Sequence, residues 1–209
     1  MESFKDFYKQ HGRDNWATKP TIALVPGSFK PPHKGHYEMI RQYSELAYDV
    51  LVLISAPSEK SQRTTKDGKV ITPEAAKQIL ELYTRDLGNV DIQISPIPSP
   101  VGAAYAALEE ISSDPPRTTV DIPRVVLGAS KKDNDWRRWT GAKEWAAKKE
   151  LNIEVMDPSL TAVDVVDRPD GVPYSASNIR DNFDNPEAIA NDIPDHVNPE
   201  EVNRILASI

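Results

Sequence analysis

The chain has 209 residues, a formal net charge of −7 at pH 7 and no cysteine. This length fits a single α/β domain, or one domain with a small appendage. The negative charge argues against a protein that binds nucleic acid through its overall field, and the lack of cysteine excludes disulfides and thiolate metal sites.

The N-terminal residues show no targeting signal. Residues 1–14 are charged and do not resemble a signal peptide, and no stretch of the chain approaches the ~20 apolar residues of a membrane span. We therefore expect a cytoplasmic protein with no membrane partner. Residues 2–16 have the aromatic spacing of a short helix, which we expect to pack against the main domain.

The first strong pattern is a strand followed by a helix. The apolar run at residues 22–25 predicts a short buried strand that stops at Pro26-Gly27. Pro31 and Pro32 stiffen the following loop, and helical spacing begins at Gly35.

Two histidines, His33 and His36, stand where this strand passes into the helix. The first turn of a helix has free backbone N–H groups and a partial positive charge, so it attracts phosphate. Two imidazoles add donors for the same anion, and Gly27 and Gly35 allow a close approach to the backbone. The pattern predicts a phosphate site that lacks a Walker-type glycine-rich loop.

The next elements continue an α/β alternation. Residues 49–55 and 90–95 predict two further strands, and the continuous apolar run of the former favours a parallel sheet covered on both faces. Thr72 followed by Pro73 predicts the start of a helix, and residues 101–112 predict another.

A polar loop at residues 56–71 contains several basic residues: Lys60, Arg63, Lys66 and Lys69. It is either a solvated loop or a flap that brings a cation to a bound phosphate. Arg63 is the best candidate for that cation, because a guanidinium binds phosphate oxygens bidentately.

A fourth strand at residues 124–128 opens into Gly128-Ala129-Ser130. In an open parallel sheet, the carboxyl ends of the strands form the ligand edge. Lys131 and Lys132 follow, as phosphate contacts or as solvated side chains.

The last third of the chain predicts a helix over residues 135–149, in which we expect the tryptophans to serve packing, with stacking on a base as the alternative. A fifth strand is predicted at 153–156, a strand-like piece at 163–166 and a turn at Asp170-Gly171. Asn198-Pro199 predicts a capped terminal helix.

Residues 174–180, Tyr-Ser-Ala-Ser-Asn-Ile-Arg, indicate another helix start, with Ser175 or Ser177 as the cap.

Three segments resemble signatures of the nucleotidyltransferase superfamily. GSFKPPHKGH at residues 27–36 resembles its Gly-x-Phe-x-Pro-x-His-x-Gly-His signature, although Lys30 stands where many members carry Asp, Asn or Gln. Gly128-Ala129-Ser130 resembles the segment that lies over the nucleotide, and residues 174–180 resemble Ile-Ser-x-Thr-x-Ile-Arg, with Tyr174 for Ile and Ser177 for Thr.

The resemblance implies a Rossmann-like open parallel sheet of about five strands with helices on both faces. It implies one nucleotidyltransferase domain over residues 1–209, with a helical extension at 1–18 and a C-terminal helical segment at 184–209. The implied reaction moves a nucleoside monophosphate from a nucleoside triphosphate to a small phosphate-bearing acceptor, with release of pyrophosphate. Magnesium would bind mainly through the nucleotide phosphates, without a dedicated set of protein ligands.

The matching positions imply site residues. We expect catalytic roles for Lys30, His33, His36 and Arg180. We expect the following to contact the nucleotide or its phosphates: Gly27, Ser28, Phe29, Gly35, Arg63, Gly128, Ser130, Ser175 and Ser177.

Several alternatives stay open. The HKGH wording is closest to nicotinamide-mononucleotide (NMN) adenylyltransferases, and a cytidylyltransferase acting on a sugar or polyol phosphate is the runner-up. A nucleotide-binding regulator that has lost the reaction is a third interpretation. A fragment of a class I aminoacyl-tRNA synthetase is disfavoured by length and charge. The base, the acceptor and any homo-oligomer are left open.

Overall fold

A computed structural model describes residues 21–56, 58–113, 122–165, 167–168 and 170–209. The predicted helix at residues 2–16 and the extension at 1–18 lie outside these ranges. Within the ranges, no helix combines the length and the apolar character that crossing a lipid bilayer requires.

Five parallel strands form one sheet in the order β3-β2-β1-β4-β5. Their bounds are Thr21–Gly27 (β1), Asp49–Ser55 (β2), Val90–Ser95 (β3), Arg124–Leu127 (β4) and Glu154–Val155 (β5). In the centre of the register, Leu24 pairs with Leu51 on one side and with Leu127 on the other. The chain reaches the β3 edge and then returns to place β4 beside β1, so a topological switch point lies between β1 and β4.

The helices begin where the sequence supplies caps. Their bounds are Lys34–Leu46 (α1), Pro73–Thr84 (α2), Pro100–Ser113 (α3), Ala142–Lys148 (α4), Pro158–Thr161 (α5), Ala176–Asn182 (α6), Pro186–Ile189 (α7) and Pro199–Ala207 (α8). Short 3₁₀ segments occupy Glu59–Ser61, Lys132–Trp139 and Ala190–Asp192. Thr72 accepts the Ala75 N–H at 3.1 Å and Asn198 accepts the Glu200 N–H at 3.0 Å, which confirms both predicted caps.

Alternate residues of β1 face opposite layers. Ala23 and Val25 pack into the core beneath α1 and α2, whereas Ile22 and Leu24 pack into the core beneath α3 and α4. This confirms the predicted open sheet of about five parallel strands with helices on both faces. A third cluster joins the outer side of α2 to the C-terminal helices α6, α7 and α8.

The region after β4 differs from its prediction. Instead of one helix over residues 135–149, the chain forms the 3₁₀ segment and α4, which are separated at Gly141 with a φ of 98°. A left-handed residue of this kind interrupts a helix, and glycine adopts it readily. Trp139 is fully buried, as expected for a packing role.

Two strand boundaries also differ. The fifth strand has only Glu154 and Val155 rather than residues 153–156. Val163 forms an isolated parallel bridge with Ser130 instead of beginning a strand at 163–166.

Candidate active site

The loop between β1 and α1 lies at the carboxyl edge of the sheet, beside the switch point. His33 is the N-cap of α1, and its backbone N–H donates to Nδ1 of His36 at 3.2 Å. The two rings stack, with centroids 3.8 Å apart and an interplanar angle of 28°. Because Nδ1 of His36 accepts a hydrogen bond, the neutral ring carries its proton on Nε2, where it can donate.

Close packing fixes both glycines of this loop. A Cβ on Gly27 would lie 2.7 Å from Cζ of Phe29, whose ring also meets the edge of His36 at 5.0 Å between centroids. A Cβ on Gly35 would lie 3.1 Å from the His33 ring and 3.2 Å from Tyr174. Glycine at these positions therefore lets the aromatic rings close around the histidine pair.

Both histidines are biased towards the neutral form. Burial, helped by the charge of Lys132, lowers the pKa of His33 to about 4, although Asp192 opposes the shift. Burial, with smaller contributions from His33 and Arg138, lowers the pKa of His36 well below its ordinary value. At neutral pH the pair therefore offers N–H donors and not positive charges.

A cavity of about 440 Å³ opens in front of the histidine pair. The predicted site residues that line it are Gly27, Ser28, Phe29, His33, Gly35, His36 and Ser130. Other polar residues that line it are Lys132, Asp135, Arg138, Asp167 and Tyr174.

Arg138 and Asp135 line the cavity and were not among the site residues predicted from the sequence. They form an ion pair of 3.3 Å on the 3₁₀ segment that follows β4. The available signal was an acidic and a basic residue three positions apart, within about ten residues of a strand that ends at the ligand edge.

A second group of predicted residues lies outside the cavity lining. Arg180 donates from Nη1 to the backbone oxygen of Lys30 at 2.6 Å and from Nη2 to Oγ of Ser177 at 2.7 Å. Burial lowers the pKa of Lys30 and of Arg180, and in both cases the nearby charge of Arg63 adds to the shift. The charge of Arg63 therefore acts on Lys30 and on Arg180, and we call these three residues, which together favour an anion, the cation cluster.

The basic loop is docked against the C-terminal helices. The backbone N–H of Lys66 donates to the Arg180 oxygen at 3.2 Å, and Nζ of Lys66 pairs with Asp184 at 2.5 Å. Nζ of Lys69 donates to the Ala207 oxygen at 2.7 Å. These contacts fix the backbone of the loop that carries Arg63.

The remaining predicted residues have local structural contacts. Ser175 caps α6, because its Oγ accepts the Asn178 N–H at 3.1 Å, whereas Ser177 lies exposed in the first turn. Gly128 donates to the Leu24 oxygen at 2.6 Å, and a Cβ on Gly128 would lie 2.9 Å from that oxygen. Ser175, Ser177 and Gly128 do not line the cavity. The structure therefore brings these three residues near the site without placing them on the cavity wall.

The carboxylates of the cavity are already engaged with cations. Asp135 pairs with Arg138 at 3.3 Å and Asp167 with Lys132 at 2.5 Å. Among the described residues, no three His, Asp or Glu side chains form a group that could hold a metal ion. These donors fit a metal that arrives on a ligand's phosphates better than one held by the protein alone.

The parallel sheet, the switch-point cavity and the histidine pair at a helix start define a doubly wound α/β protein with a cavity at its carboxyl edge. The cytidylyltransferase-like family profile matches residues 24–182, and the chain belongs to this family.

Two curated relatives match the chain over short segments, and both are named phosphopantetheine adenylyltransferase. The chain is 42% identical over 53 residues to the phosphopantetheine adenylyltransferase of Micrococcus luteus, covering 25% of this chain and 34% of that protein. It is 32% identical over 73 residues to the phosphopantetheine adenylyltransferase of Rubrobacter xylanophilus, covering 35% of this chain and 40% of that protein. The chain thus matches well under half the length of these curated relatives.

Two solved structures share the fold. One is a bifunctional NMN adenylyltransferase/ADP ribose pyrophosphatase of Francisella tularensis in complex with AMP and a manganese ion, with a TM-score of 0.50, 13% identity and coverage of 91% of this chain and 50% of that chain. The other is TmcAL of Thermotoga maritima bound to α-thio ATP, with a TM-score of 0.50, 14% identity and coverage of 91% and 55%. At these identities the likeness concerns the fold alone.

Proposed function

We propose that this protein is a nucleotidyltransferase that moves a nucleoside monophosphate from a nucleoside triphosphate to a phosphate-bearing acceptor and releases pyrophosphate. The observation that carries the proposal is the stacked pair His33 and His36, which caps α1 and lines the cavity at the switch point. Membership of the cytidylyltransferase-like family supports the same reaction class.

The reaction needs no covalent enzyme intermediate. An acceptor phosphate oxygen attacks the α-phosphorus, a new phosphorus–oxygen bond forms, and the bond from the α-phosphorus to the bridging oxygen breaks as pyrophosphate leaves. The barrier lies in bringing two anions together and in stabilising the charge that develops on the transferred phosphoryl group. Neutral His33 and His36 would donate hydrogen bonds to that group, and the first turn of α1 would add its N–H groups and its dipole.

The cation cluster would hold the phosphates that leave. Lys30, Arg63 and Arg180 lie at the edge of the loop that carries the histidines, and Ser177 adds a hydroxyl beside Arg180. A divalent cation, which we propose to be magnesium, would arrive with the nucleotide and would partly neutralise the charge of its phosphates. The cavity would then receive the rest of the nucleotide together with the acceptor.

We propose ATP as the nucleotide, because the relatives with the matched segments are adenylyltransferases. The names of those relatives give phosphopantetheine as the acceptor, whereas the HKGH motif suggests NMN. The second candidate is cytidylyl transfer to a sugar or polyol phosphate, which the family's description favours.

The test is a pyrophosphate-release screen of ATP, CTP, GTP and UTP with magnesium against 4′-phosphopantetheine, NMN and glycerol 3-phosphate. We expect release with one pair that depends on both substrates. Nucleotide binding without release from any pair would instead support a regulator that keeps the site but lacks the reaction.

The variant His36→Ala tests the role of the histidine pair. We expect turnover to fall by at least ~10²-fold with a modest loss of nucleotide affinity, because the lost donor acts mainly in the transition state. His196→Ala is the matched control, since His196 contacts Tyr83 and Tyr37 and does not line the cavity. A loss of nucleotide binding with unchanged turnover would contradict this role.

A further inference from the structure

Arg138 is a cavity cation that the proposed reaction has not yet used. Two cations line the cavity within the described part of the chain, Lys132 and Arg138, and neither belongs to the cation cluster. Lys132 forms a 2.5 Å ion pair with Asp167 and lies exposed. The Arg138 side chain is only 28% exposed, and its distance to Asp135 is longer, at 3.3 Å.

The guanidinium of Arg138 is held in place but has donors to spare. Nη2 donates to the Gly128 oxygen at 3.0 Å, and the guanidinium carbon lies 4.8 Å from the centroid of the Trp139 ring. Trp139 is fully buried and donates to the same Gly128 oxygen at 3.1 Å. Two fixed neighbours, a backbone carbonyl and a core tryptophan, therefore orient the group without using all five of its N–H donors.

One of the unused donors is buried. Nε of Arg138 has no hydrogen-bond partner among the described residues and almost no exposed surface. A buried N–H without a partner is unfavourable, and so is a guanidinium removed from water, which agrees with the lowered pKa of Arg138. An anionic ligand in the cavity would relieve the cost of the buried charge, since a phosphate accepts bidentate hydrogen bonds from arginine and the Arg138 side chain is still 28% exposed.

His36 is linked to the cation cluster through its contact with Phe29, and it feels the charge of Arg138. The Phe29 ring meets His36 at 5.0 Å between centroids, and the next residue, Lys30, is bound through its backbone oxygen to Arg180 of the cation cluster. On the cavity side, the charge of Arg138 acts on His36, where it helps to lower the histidine pKa. A phosphate held by the cation cluster and a second phosphate held by Arg138 would both adjoin His36.

From this arrangement we infer that Arg138 binds the phosphate of the acceptor, while the cation cluster binds the triphosphate. The acceptor is then a phosphate monoester whose phosphate enters the cavity and whose oxygen attacks beside His36. This assignment rests on the proposed function.

The test compares neighbouring arginines in steady-state kinetics with the substrate pair that the wild type converts. We expect Arg138→Gln to raise the KM of the acceptor about tenfold or more and to change the KM of the nucleoside triphosphate less than about twofold. Arg137→Gln is the matched control, because Arg137 is exposed and does not line the cavity. Arg138→Lys, which keeps the charge, should fold and should show a smaller rise in acceptor KM. An equal rise in both KM values, or no rise in either, would overturn the inference.

A binding experiment separates this inference from the proposed reaction. Inorganic phosphate is titrated by calorimetry into protein saturated with tripolyphosphate, which would occupy the cation cluster. We expect the wild type and Arg137→Gln to bind phosphate equally and Arg138→Gln to bind it at least about fivefold more weakly. Equal binding by both variants, or no binding by the wild type, would overturn the role of Arg138. Failure of the pyrophosphate screen alone would count against the reaction and would leave this binding result standing.

Discussion

Burial keeps the two histidine rings neutral, so they can act as hydrogen-bond donors without carrying a charge. Stacking at 3.8 Å places the rings so close that a charge on one would oppose a charge on the other. The backbone N–H of His33 donates to Nδ1 of His36, so the fold also selects the tautomer of that ring. A neutral donor of fixed orientation needs no proton from solvent when charge develops on a phosphate.

This burial makes the stability of the protein depend on pH in a defined window. His33 has an ordinary pKa of 6.5 and a folded pKa of about 4. Between these values the unfolded chain binds more protons than the folded chain, so the free energy of unfolding falls as pH falls from about 6.5 to about 4. Above about pH 6.5 the His33 ring is neutral in both the folded and the unfolded chain, so it adds no further pH dependence to the free energy of unfolding.

Urea unfolding at several pH values checks this expectation. The decrease in unfolding free energy between pH 6.5 and 4 should be smaller in His33→Gln than in the wild type. An NMR titration of the His33 ring in the folded protein provides the direct control. If that ring titrates near its ordinary value, burial does not govern its charge.

At the scale of elements, the position of α6 depends on a carboxylate from the C-terminal segment. Asp192 is fully buried and accepts the backbone N–H of Ser175 at 2.8 Å and Nδ2 of Asn178 at 2.7 Å. Nη1 of Arg168 lies 3.6 Å away. Since α6 carries Arg180, Asp192 fixes the element that joins the cation cluster to the histidine loop.

The variant Asp192→Asn should disturb this arrangement. An amide has one oxygen where the carboxylate has two, so one of the two donors loses its acceptor, at a cost of about 1–3 kcal/mol. We expect a lower melting temperature and a several-fold rise in the KM of the nucleoside triphosphate, with a smaller effect on the acceptor. Asp195→Asn is the control, because the Asp195 side chain is 89% exposed. A loss of stability with an unchanged KM would show that Asp192 supports the fold without positioning α6.

Local patterns predicted the elements that depend on neighbours in sequence. Thr72 and Asn198 cap helices as expected, and the apolar run at residues 49–55 forms β2 with the predicted bounds. The two-part segment after Ser130 was not predicted, because helical spacing continues across Gly141 while the backbone there turns left-handed. Asp192 was also missed, since its partners lie 14 and 17 residues away and no local pattern reports them.

The candidate site shows the same contrast between residues predicted from local patterns and residues whose positions depend on distant contacts. The strand–loop–helix motif predicted His33 and His36 at the carboxyl edge, because motif and periodicity coincide there. It did not predict that Ser177 and Arg180 would lie outside the cavity lining, or that Arg138 would line it. Those positions depend on how distant segments pack against one another. The catalytic and binding roles of all these residues remain predictions.

At the scale of the whole molecule, the C-terminal segment couples stability to the candidate site. The third core cluster packs Ile189 of α7 and Leu206 of α8 against Ile179 of α6. It also includes Ile79 and Tyr83 of α2. The basic loop joins the same assembly through the bond from Lys69 to the Ala207 oxygen. Packing beyond the family-matched residues 24–182 therefore helps to hold the cation cluster.

The variant Leu206→Ala tests this coupling. Leu206 is fully buried, and its truncation should lower the free energy of unfolding by about 2–5 kcal/mol through lost burial and a residual cavity. If α8 supports the loop and α6, the KM of the nucleoside triphosphate should rise while the enzyme is still folded at the assay temperature. Val172→Ala, at a side chain that is 48% exposed, should change neither quantity. Denaturation curves and kinetics on the same samples provide the measurement, and a destabilised enzyme with an unchanged KM would confine the role of the C-terminal segment to stability.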